Sequence, residues 1–511
     1  MNLEQYLILA RRCACFSVAP ASLAQALTLL SQASANLERA FYWNKGCGGG
    51  GMLLVQSASH DSLSRALQSL YLYPRHFFSL SQYQSKMPLD NSKRFSLPPY
   101  RVCSDPSIWP ASASVALRPP REFEKLLCFQ SDPISPSALE RALLQQHSLV
   151  KQMQFLVSST LLLPPARLAR FVFADSLQEM LAKIRPGTTV YPFGSAINGL
   201  GSVTSDLDLS IEMGIDVVPE LKSLAEYHRL QVTADVSWKG NDILGGLLRF
   251  SGQTSYKLLT PIRFLLNRLD PLSAPSSRVL PGHVPIINYS RHRALGLGVD
   301  ISRSVEGERS SQVVLRAAHW MRSLVQQVPI FIFLAYALKY IARAAHVTHH
   351  GPAFGITSYK LTVILVHFLQ AIGYAPPLEY LLLHDMRPVD VAQRIFIPLE
   401  EDPTCPPEAA DVFNEFLTYL LALNPPAVTL CLRSGRLIPR LDSNAHFIHC
   451  PNPLFPDRNI TRGIDAATWS NFLDIVTHAQ TILSSVATPS SSKTLLWGLP
   501  AIAQPPSTAV S

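Results

Sequence analysis

Residues 190–212, VYPFGSAINGLGSVTSDLDLSIE, constrain this chain more than any other stretch. An apolar strand runs into a Gly194-Ser195 turn, and a helix-compatible segment with Gly199 and Gly201 follows. A second strand then carries Asp206 and Asp208, with Leu207 and Leu209 alternating. Side chains at i and i+2 of a strand share one face, about 6.5 Å apart. The spacing therefore predicts both carboxylates on one face and both leucines in the core. Ionised carboxylates side by side raise each other's pKa unless a cation lies between them. Hard oxygen ligands offered from one side, with room for water and a phosphate, suit Mg²⁺. The glycine lets backbone approach a phosphate, the turn amides can donate to it, and the Ser195 hydroxyl adds a donor.

The rest of the chain must supply a scaffold and a substrate for that site. Its 511 residues allow two to four domains at about 150 residues each. A formal charge of +8 around an acidic centre fits a polyanion-binding protein whose carboxylates hold metal. The eight cysteines form no CxxC pair and no zinc spacing, so free buried thiols in a reducing compartment are expected. Residues 13–37 carry no charge but are interrupted by Ser, Gln, Asn and Pro, and the apolar run 328–338 is short. No membrane span is expected, and 328–338 reads as a core helix. The first twenty residues hold Arg11, Arg12 and one acid, Glu4, a weak likeness to a transit peptide.

Residues 10–72 alternate in type: CACFSV, RAFYWN and GMLLVQSA read as strands, SLAQALTLLSQA and HDSLSRALQSL as helices. This βαββα order fits a small ferredoxin-like module of the RNA-recognition kind, spanning 1–72. Phe16 is the one aromatic in its first strand, which points to packing or dimerisation at least as much as to RNA binding. The run Gly48–Gly51 lacks the Lys-Ser/Thr of a phosphate loop. Residues 73–135 form a basic Pro/Ser-rich linker with Arg75, Lys86, Lys93, Arg94, Arg101, Arg118 and Arg121.

Helical periodicity covers 137–160 and about 167–183. SYKLLTPIRFLLNRL reads as a further helix, the stretch ending SAPSSRVLPG as a loop, and HVPIINYSRHRALGLGVDIS as two strands. The second of these places Asp300 between Val299 and Ile301, where a third carboxylate beside the DxD strand belongs. Residues 311–385 are helical. Lys339 and Arg343 share a helix face at i and i+4. Ser358 and Tyr359 open an apolar helix, the serine as N-cap and the tyrosine able to stack on a base. His346, His349 and His350 fall in an irregular connection and read as a loop cluster. Residues 386–410 read as proline-rich loop. DVFNEFLTYLLAL is a helix, AVTLCLRSGRLI a strand and turn, HFIHCPNPLFPDRNITRGI irregular, and WSNFLDIVTHAQTILSSV the last long helix. The tail from 487 carries an apolar island, LLWGLP.

Five blocks in order, YPFGSAINGLGSVTSDLDLSI, VPIINYSRHRALGLGVDIS, LKYIARAAHVTHHGPAFGITSYKLTVILVHFLQ, FIHCPNPLFPDRNITRGI and LLWGLP, resemble the poly(A)/terminal nucleotidyltransferase family. That family lies in the polymerase-beta-like superfamily, and the resemblance is strongest to its mitochondrial poly(A) polymerases. It implies an α+β fold: a nucleotidyltransferase palm over 136–310 and a helical central, PAP-associated domain over 311–486. A C-terminal tail over 487–511 completes the division.

The same resemblance implies Asp206, Asp208 and Asp300 as catalytic, metal-binding carboxylates for Mg²⁺ or Mn²⁺. It implies Gly194 and Ser195 as the triphosphate turn, Lys339 and Arg343 as phosphate contacts, Ser358 and Tyr359 as phosphate and base contacts, and Asn459 as the nucleotide-recognition asparagine. The implied reaction is template-independent adenylyl transfer from ATP to an RNA 3′ end, on mitochondrial transcripts; the N-terminal module's own pattern adds a homodimer through that module as one expectation. Two departures stand out. Asp300 is followed by Ile301, Ser302, Arg303, Ser304 and Val305 where the family shows asparagines, and Leu454 follows Asn452-Pro453 without the usual Phe and acid. Arg458 stands before Asn459, where uridylyl-adding relatives commonly place His; ATP is therefore expected over UTP. The rival readings are a terminal uridylyltransferase, a nucleotidyltransferase acting on a small molecule, and a catalytically impaired RNA-binding scaffold.

Overall fold

A computed structural model describes residues 1–18, 23–33, 35–44, 51–69, 127–129, 134–182, 186–213, parts of 259–267, 276–281, 285–292, 295–303, 310–348, 355–381, 388–398, 403–440, 446–485 and 498–503. Helix α1 (Leu3–Arg11) opens the chain and was not expected from the sequence. Asn2 and Gln5 form a reciprocal capping box: Gln5 N–H donates to Asn2 Oδ1 at 2.8 Å and Asn2 N–H to Gln5 Oε1 at 2.9 Å. The helix buries Leu3, Tyr6 and Ala10, the spacing of one apolar stripe.

The βαββα order follows as expected. Strands β1 (Cys13–Val18), β2 (Leu37–Asn44) and β3 (Gly51–Ser57) alternate with α2 (Leu23–Gln32) and α3 (His60–Ser69). A short strand within 73–135, β4 (Leu127–Phe129), adds parallel to β2 and gives the order β1-β3-β2-β4. Gly51 begins β3, as the strand reading of GMLLVQSA expects. One sheet face, with Ala14, Phe16, Val18, Leu53 and Val55, packs with apolar residues of α2 and α3. The opposite face, with Cys13, Cys15, Met52 and Leu54, joins the core formed by α1 and the helix Pro164–Ala182. Both faces of this sheet are thus packed against protein, and neither is a free platform for stacking bases.

The helix expected over 137–160 is two: α4 (Pro136–Leu144) and α5 (Leu149–Thr160). Ser148 interrupts them because its hydroxyl caps the second, accepting from Lys151 N–H at 3.2 Å. Helix α6 (Pro164–Ala182) is buried over most of its length. Arg11 of α1 holds Asp175 of α6 at 3.2 Å.

Strands β5 (Thr189–Phe193), β6 (Leu207–Glu212), β7 (Ser277–Leu280), β8 (Ile286–His292) and β9 (Leu297–Arg303) form a second sheet in the order β5-β6-β9-β8-β7. Pro192 is tolerated because β5 is an edge strand. Strands β6 and β9 pair in parallel and the other pairs are antiparallel. Leu207, Leu209, Ile211, Val299, Ile301, Ile287 and Tyr289 face the core shared with α6. Residues 277–280, expected in a loop, are the edge strand β7. Their pairing with β8 depends on a partner about ten residues away, which local pattern does not report. Of the helix expected over 255–269, residues 259, 260, 262, 263, 266 and 267 are described and helical.

The C-terminal half is a helical assembly: α7 (Ser310–Gln327), α8 (Pro329–Ala344), α9 (Ser358–Ala371), α10 (Pro388–Arg394), α11 (Ala409–Ala422), α12 (Ala466–Ser485) and α13 (Gly498–Ala503). The hairpin of β10 (Val428–Cys431) and β11 (Arg436–Pro439) lies between α11 and α12. Helix α8 is the expected core helix, with Ile330–Leu338 buried throughout. Two expectations are corrected. Helix α10 lies in the stretch read as loop, where Pro388 starts rather than breaks it. Residues 498–500 of the island in the tail belong to α13, whose Leu499 and Ile502 are buried in the helical core and whose Leu499 N–H donates to Gln152 Oε1 at 2.8 Å.

Helices α4 and α5 contribute Leu139, Leu143, Met153, Leu156 and Val157 to that same core. Cys13, Cys15, Cys405 and Cys450 are buried free thiols and Cys431 is half-buried. No single described helix is long and apolar enough to cross a membrane. The linker arginines and lysines, together with His349 and His350, lie outside the described residues.

Candidate active site

Register in the five-stranded sheet builds the site. Phe193 of β5 pairs with Asp208 of β6, Asp208 with Asp300 of β9, Asp300 with Asn288 of β8, and Asn288 with Arg278 of β7. Directly paired residues share a face, so Asp208, Asp300, Asn288 and Arg278 stand in one row opposite the apolar face. Asp206 lies one residue before β6 and is exposed, rather than within the strand. It still comes close to the row because Gly298 leaves space on β9: a Cβ there would sit 2.5 Å from Asp206 Oδ1.

The turn is equally specific about its glycine. Gly194 opens a single 3₁₀ turn, Gly194–Ala196, with φ +58°, and an added methyl would lie 3.3 Å from the Asp208 carboxyl carbon with Oδ2 closer still. Both the left-handed backbone and the approach of Asp208 require glycine. The Ser195 hydroxyl donates to the Asp206 carbonyl at 3.1 Å, tying the turn to the DxD segment. From below, Arg170 of α6 donates to the Ser205 carbonyl at 2.8 Å and the Val203 carbonyl at 3.2 Å. This buried guanidinium fixes the approach to Asp206 and escaped the sequence reading. Burial and Arg167 lower it to about 9, Asp206 opposing, so it stays charged near neutrality.

Electrostatics in the row favour a cation. Burial first, then Asp300 and Asp206, pushes Asp208 up to about 8. Burial also raises Asp300, with Asp206 adding and the Asn288 hydrogen bond opposing. That bond runs from Asn288 Nδ2 to Asp300 Oδ1 at 2.7 Å. Among the described residues no group of three or more His, Cys, Asp or Glu side chains is placed so that it could hold a metal ion by itself. An open set of carboxylates whose charges disfavour one another fits an ion that takes one or two carboxylates and completes its shell with water and substrate phosphate.

The helical side carries the other expected residues. Lys339 Nζ donates to the Leu200 carbonyl at 3.0 Å, and Tyr336 Oη to the Gly201 carbonyl at 2.6 Å, so α8 grips the loop that follows the Gly-Ser turn. Burial and Arg343 lower Lys339 to about 7. Arg343 is exposed at the last turn of α8. Ser358 is the first residue of α9, not its cap: the Thr357 side chain accepts from Lys360 N–H. Tyr359 beside it is 44% exposed, a large aromatic facing solvent.

Asn459 is committed within its own loop. Its Oδ1 accepts from Cys450 N–H, Thr461 N–H and Thr461 Oγ1, and its Nδ2 donates to the Ile448 carbonyl at 2.8 Å. One N–H of the carboxamide remains for a ligand, so Asn459 chiefly shapes the loop. Buried Lys360 joins this loop to α9, its Nζ donating to the Gly355 carbonyl at 2.8 Å and the Arg462 carbonyl at 2.7 Å. Sequence reading passed over Lys360 because a lysine in an apolar helix carries no motif. The structure thus brings Gly194, Ser195 and the three aspartates together; Lys339 reaches from the helical side to the loop after the turn, and Lys360 ties the start of α9, where Ser358 and Tyr359 lie, to the loop that carries Asn459.

Residues 149–313 match the family described as "Poly(A) RNA polymerase, mitochondrial-like, central palm domain". The mitochondrial poly(A) RNA polymerase of Homo sapiens is 22% identical over 378 residues, covering 71% of this chain and 59% of that protein. Its Mus musculus counterpart is 22% identical over 392 residues, covering 74% and 63%. The chain therefore spans about three fifths of the length of these curated relatives. A crystal structure of mtPAP in complex with CTP superposes with a TM-score of 0.68 at 19% identity, covering 98% of this chain and 99% of that one. In the sequence of its central domain and in the fold of the whole chain, this protein resembles the mitochondrial poly(A) RNA polymerases.

Proposed function

We propose that the chain is a template-independent polynucleotide adenylyltransferase that extends RNA 3′ ends with ATP in mitochondria. The observation that carries this reading is the pairing of Asp208 with Asp300 beside a Gly194 turn that only glycine can form. Asp206, Asp208 and Asp300 would hold divalent ions, Mg²⁺ or Mn²⁺. Such ions supply the positive charge that acidifies a 3′-hydroxyl and offsets charge on a leaving pyrophosphate.

The chain's own groups do the positioning. The Gly194-Ser195 turn cradles the triphosphate, Lys339 and Arg343 add charge to it, Ser358 donates to phosphate, and Tyr359 stacks on the base. The 3′-oxygen bonds to the α-phosphorus, the α–β anhydride bond breaks, pyrophosphate leaves, and Asp300 takes the hydroxyl proton. Asn459 and Lys360 hold the loop that meets the base.

The work divides among a palm over 136–310, a helical domain over 311–486 and an RNA-recognition-like module over 1–72. That module packs both faces of its sheet against protein, which favours scaffolding or self-association over RNA binding through its sheet. Arg458 lies over the Phe455 ring at 4.9 Å, a cation where uridylyl-adding relatives place His, and this supports ATP as the substrate. Side-by-side extension of a short RNA with each of the four nucleotides tests the assignment. ATP should be incorporated fastest; UTP incorporated as fast or faster would make the enzyme a uridylyltransferase, and the adenylyl reading would fail.

A further inference from the structure

The row that holds the carboxylates does not end at them. Beyond Asp300 it continues through Asn288 to Arg278 on the edge strand β7. Arg278 is exposed, and its Nε reaches Asn288 Oδ1 at 3.5 Å. Asn288 in turn donates to Asp300. Next along the same edge, a bulge in β8 between Tyr289 and His292 leaves the consecutive Ser290 and Arg291 both exposed. Two arginines therefore stand at the β7–β8 end of a face whose centre is acidic. No described ion pair neutralises either of them.

The order of the row gives this end a meaning. The Gly194-Ser195 turn, which meets the triphosphate, lies at the β5 end. In an in-line displacement the nucleophile approaches opposite the leaving pyrophosphate. With the leaving group toward β5, the attacking 3′-hydroxyl comes from the β9 side, and the strand that carries it must pass over β8 and β7. Two strand spacings separate Asp300 from Arg278, about 10 Å, on the order of a nucleotide or two of extended strand.

We infer that the β7–β8 edge is the acceptor-strand subsite, with Arg278 binding a backbone phosphate close to the 3′ end and Arg291 extending the basic path. This rests on the nucleotidyltransferase reading and names where its second substrate lies. Asn288 couples the subsite to the chemistry, since the same carboxamide contacts Arg278 and Asp300. The contact is to phosphate, so it favours RNA of any sequence and responds to salt.

The test measures RNA binding without chemistry. A fluorescein-labelled short oligo(A) is titrated with the full chain in EDTA, without nucleotide, over a salt series. Wild type, Arg278→Gln and Arg278→Lys are compared. Loss of one phosphate contact reduces the magnitude of the log K against log salt slope by about 0.7 for a single strand. Arg278→Gln should show that reduction, bind several-fold more weakly at low salt, and raise the KM for RNA while leaving the KM for ATP unchanged. Arg278→Lys should keep the slope. Arg278→Gln with the wild-type slope and RNA affinity overturns the subsite. A wild-type chain that neither binds nor extends RNA overturns the nucleotidyltransferase reading itself, so the two failures are distinct.

Discussion

Replacing Gly194 with alanine tests the turn in both its roles. A left-handed conformation costs a non-glycine residue about 1–2 kcal/mol, and Gly194 has φ +58°. The added methyl would also stand 3.3 Å from the Asp208 carboxyl carbon and overlap Oδ2. Relief requires the carboxylate or the turn to move by about 1 Å, and a misplacement of that size costs about 10²-fold in rate. Gly194→Ala should therefore lower kcat for RNA extension about a hundredfold. Strain of that size in a chain this long should lower Tm by only a few degrees. Steady-state extension at saturating ATP and RNA, with a thermal melt on the same preparation, separates the two effects. A kcat within about threefold of wild type would refute the reasoning, because the methyl would then have been accommodated without disturbing Asp208.

Two further outcomes follow from the site. Lys360→Met should remove the partner of the Gly355 and Arg462 carbonyls, at about 1–3 kcal/mol for the buried Gly355 group, and loosen the Asn459 loop against α9; KM for ATP should rise about tenfold with kcat nearly unchanged, and a fall in kcat alone would contradict it. Asp208, held near 8 rather than its ordinary 3.8, binds a proton in the folded state across a window where the unfolded chain has lost it. Stability of metal-free protein should therefore decline as pH rises from about 4 to about 8. Melting in EDTA should show that decline, Mg²⁺ should reduce it by favouring the ionised form, and Asp208→Asn should lessen it; an Asp208→Asn profile identical to wild type would exclude the carboxyl as its source.

Much of the candidate site was legible because local spacing carries the residues that form it. The Gly194-Ser195 turn, the DxD pair and Asp300 between β-branched neighbours each announce themselves within a few residues. Lys339 with Arg343 and Ser358 with Tyr359 sit on helices whose periodicity is plain. What was missed depends on partners distant in sequence. Asn288 and Arg278 gain significance only from the register of β8 and β7 with β9. Gly298 matters because Asp206 leans over it, and Arg170 because the 203–205 segment turns back above α6. The same cause explains the fold-level corrections. Helix α13 is short and follows a polar tail, so its burial rests on Gln152 and α8. Strand β4 is three residues long and exists through β2. Asn459, expected to read the nucleotide, spends most of its hydrogen-bonding capacity on Cys450, Ile448 and Thr461, an engagement no motif displays.

The most direct test of the account is extension of a short labelled RNA by the purified chain with ATP and Mg²⁺, run beside Asp208→Ala and Asp300→Ala. Wild type should convert the primer into a ladder of products and release pyrophosphate. Both variants, folded by thermal melt, should leave the primer at its starting length, because losing a carboxylate removes several kcal/mol of charge stabilisation at the transferring phosphoryl group. A wild-type chain that leaves RNA unextended, or an Asp208→Ala variant that extends it at near-normal rate, would contradict the claim that this row of carboxylates performs adenylyl transfer.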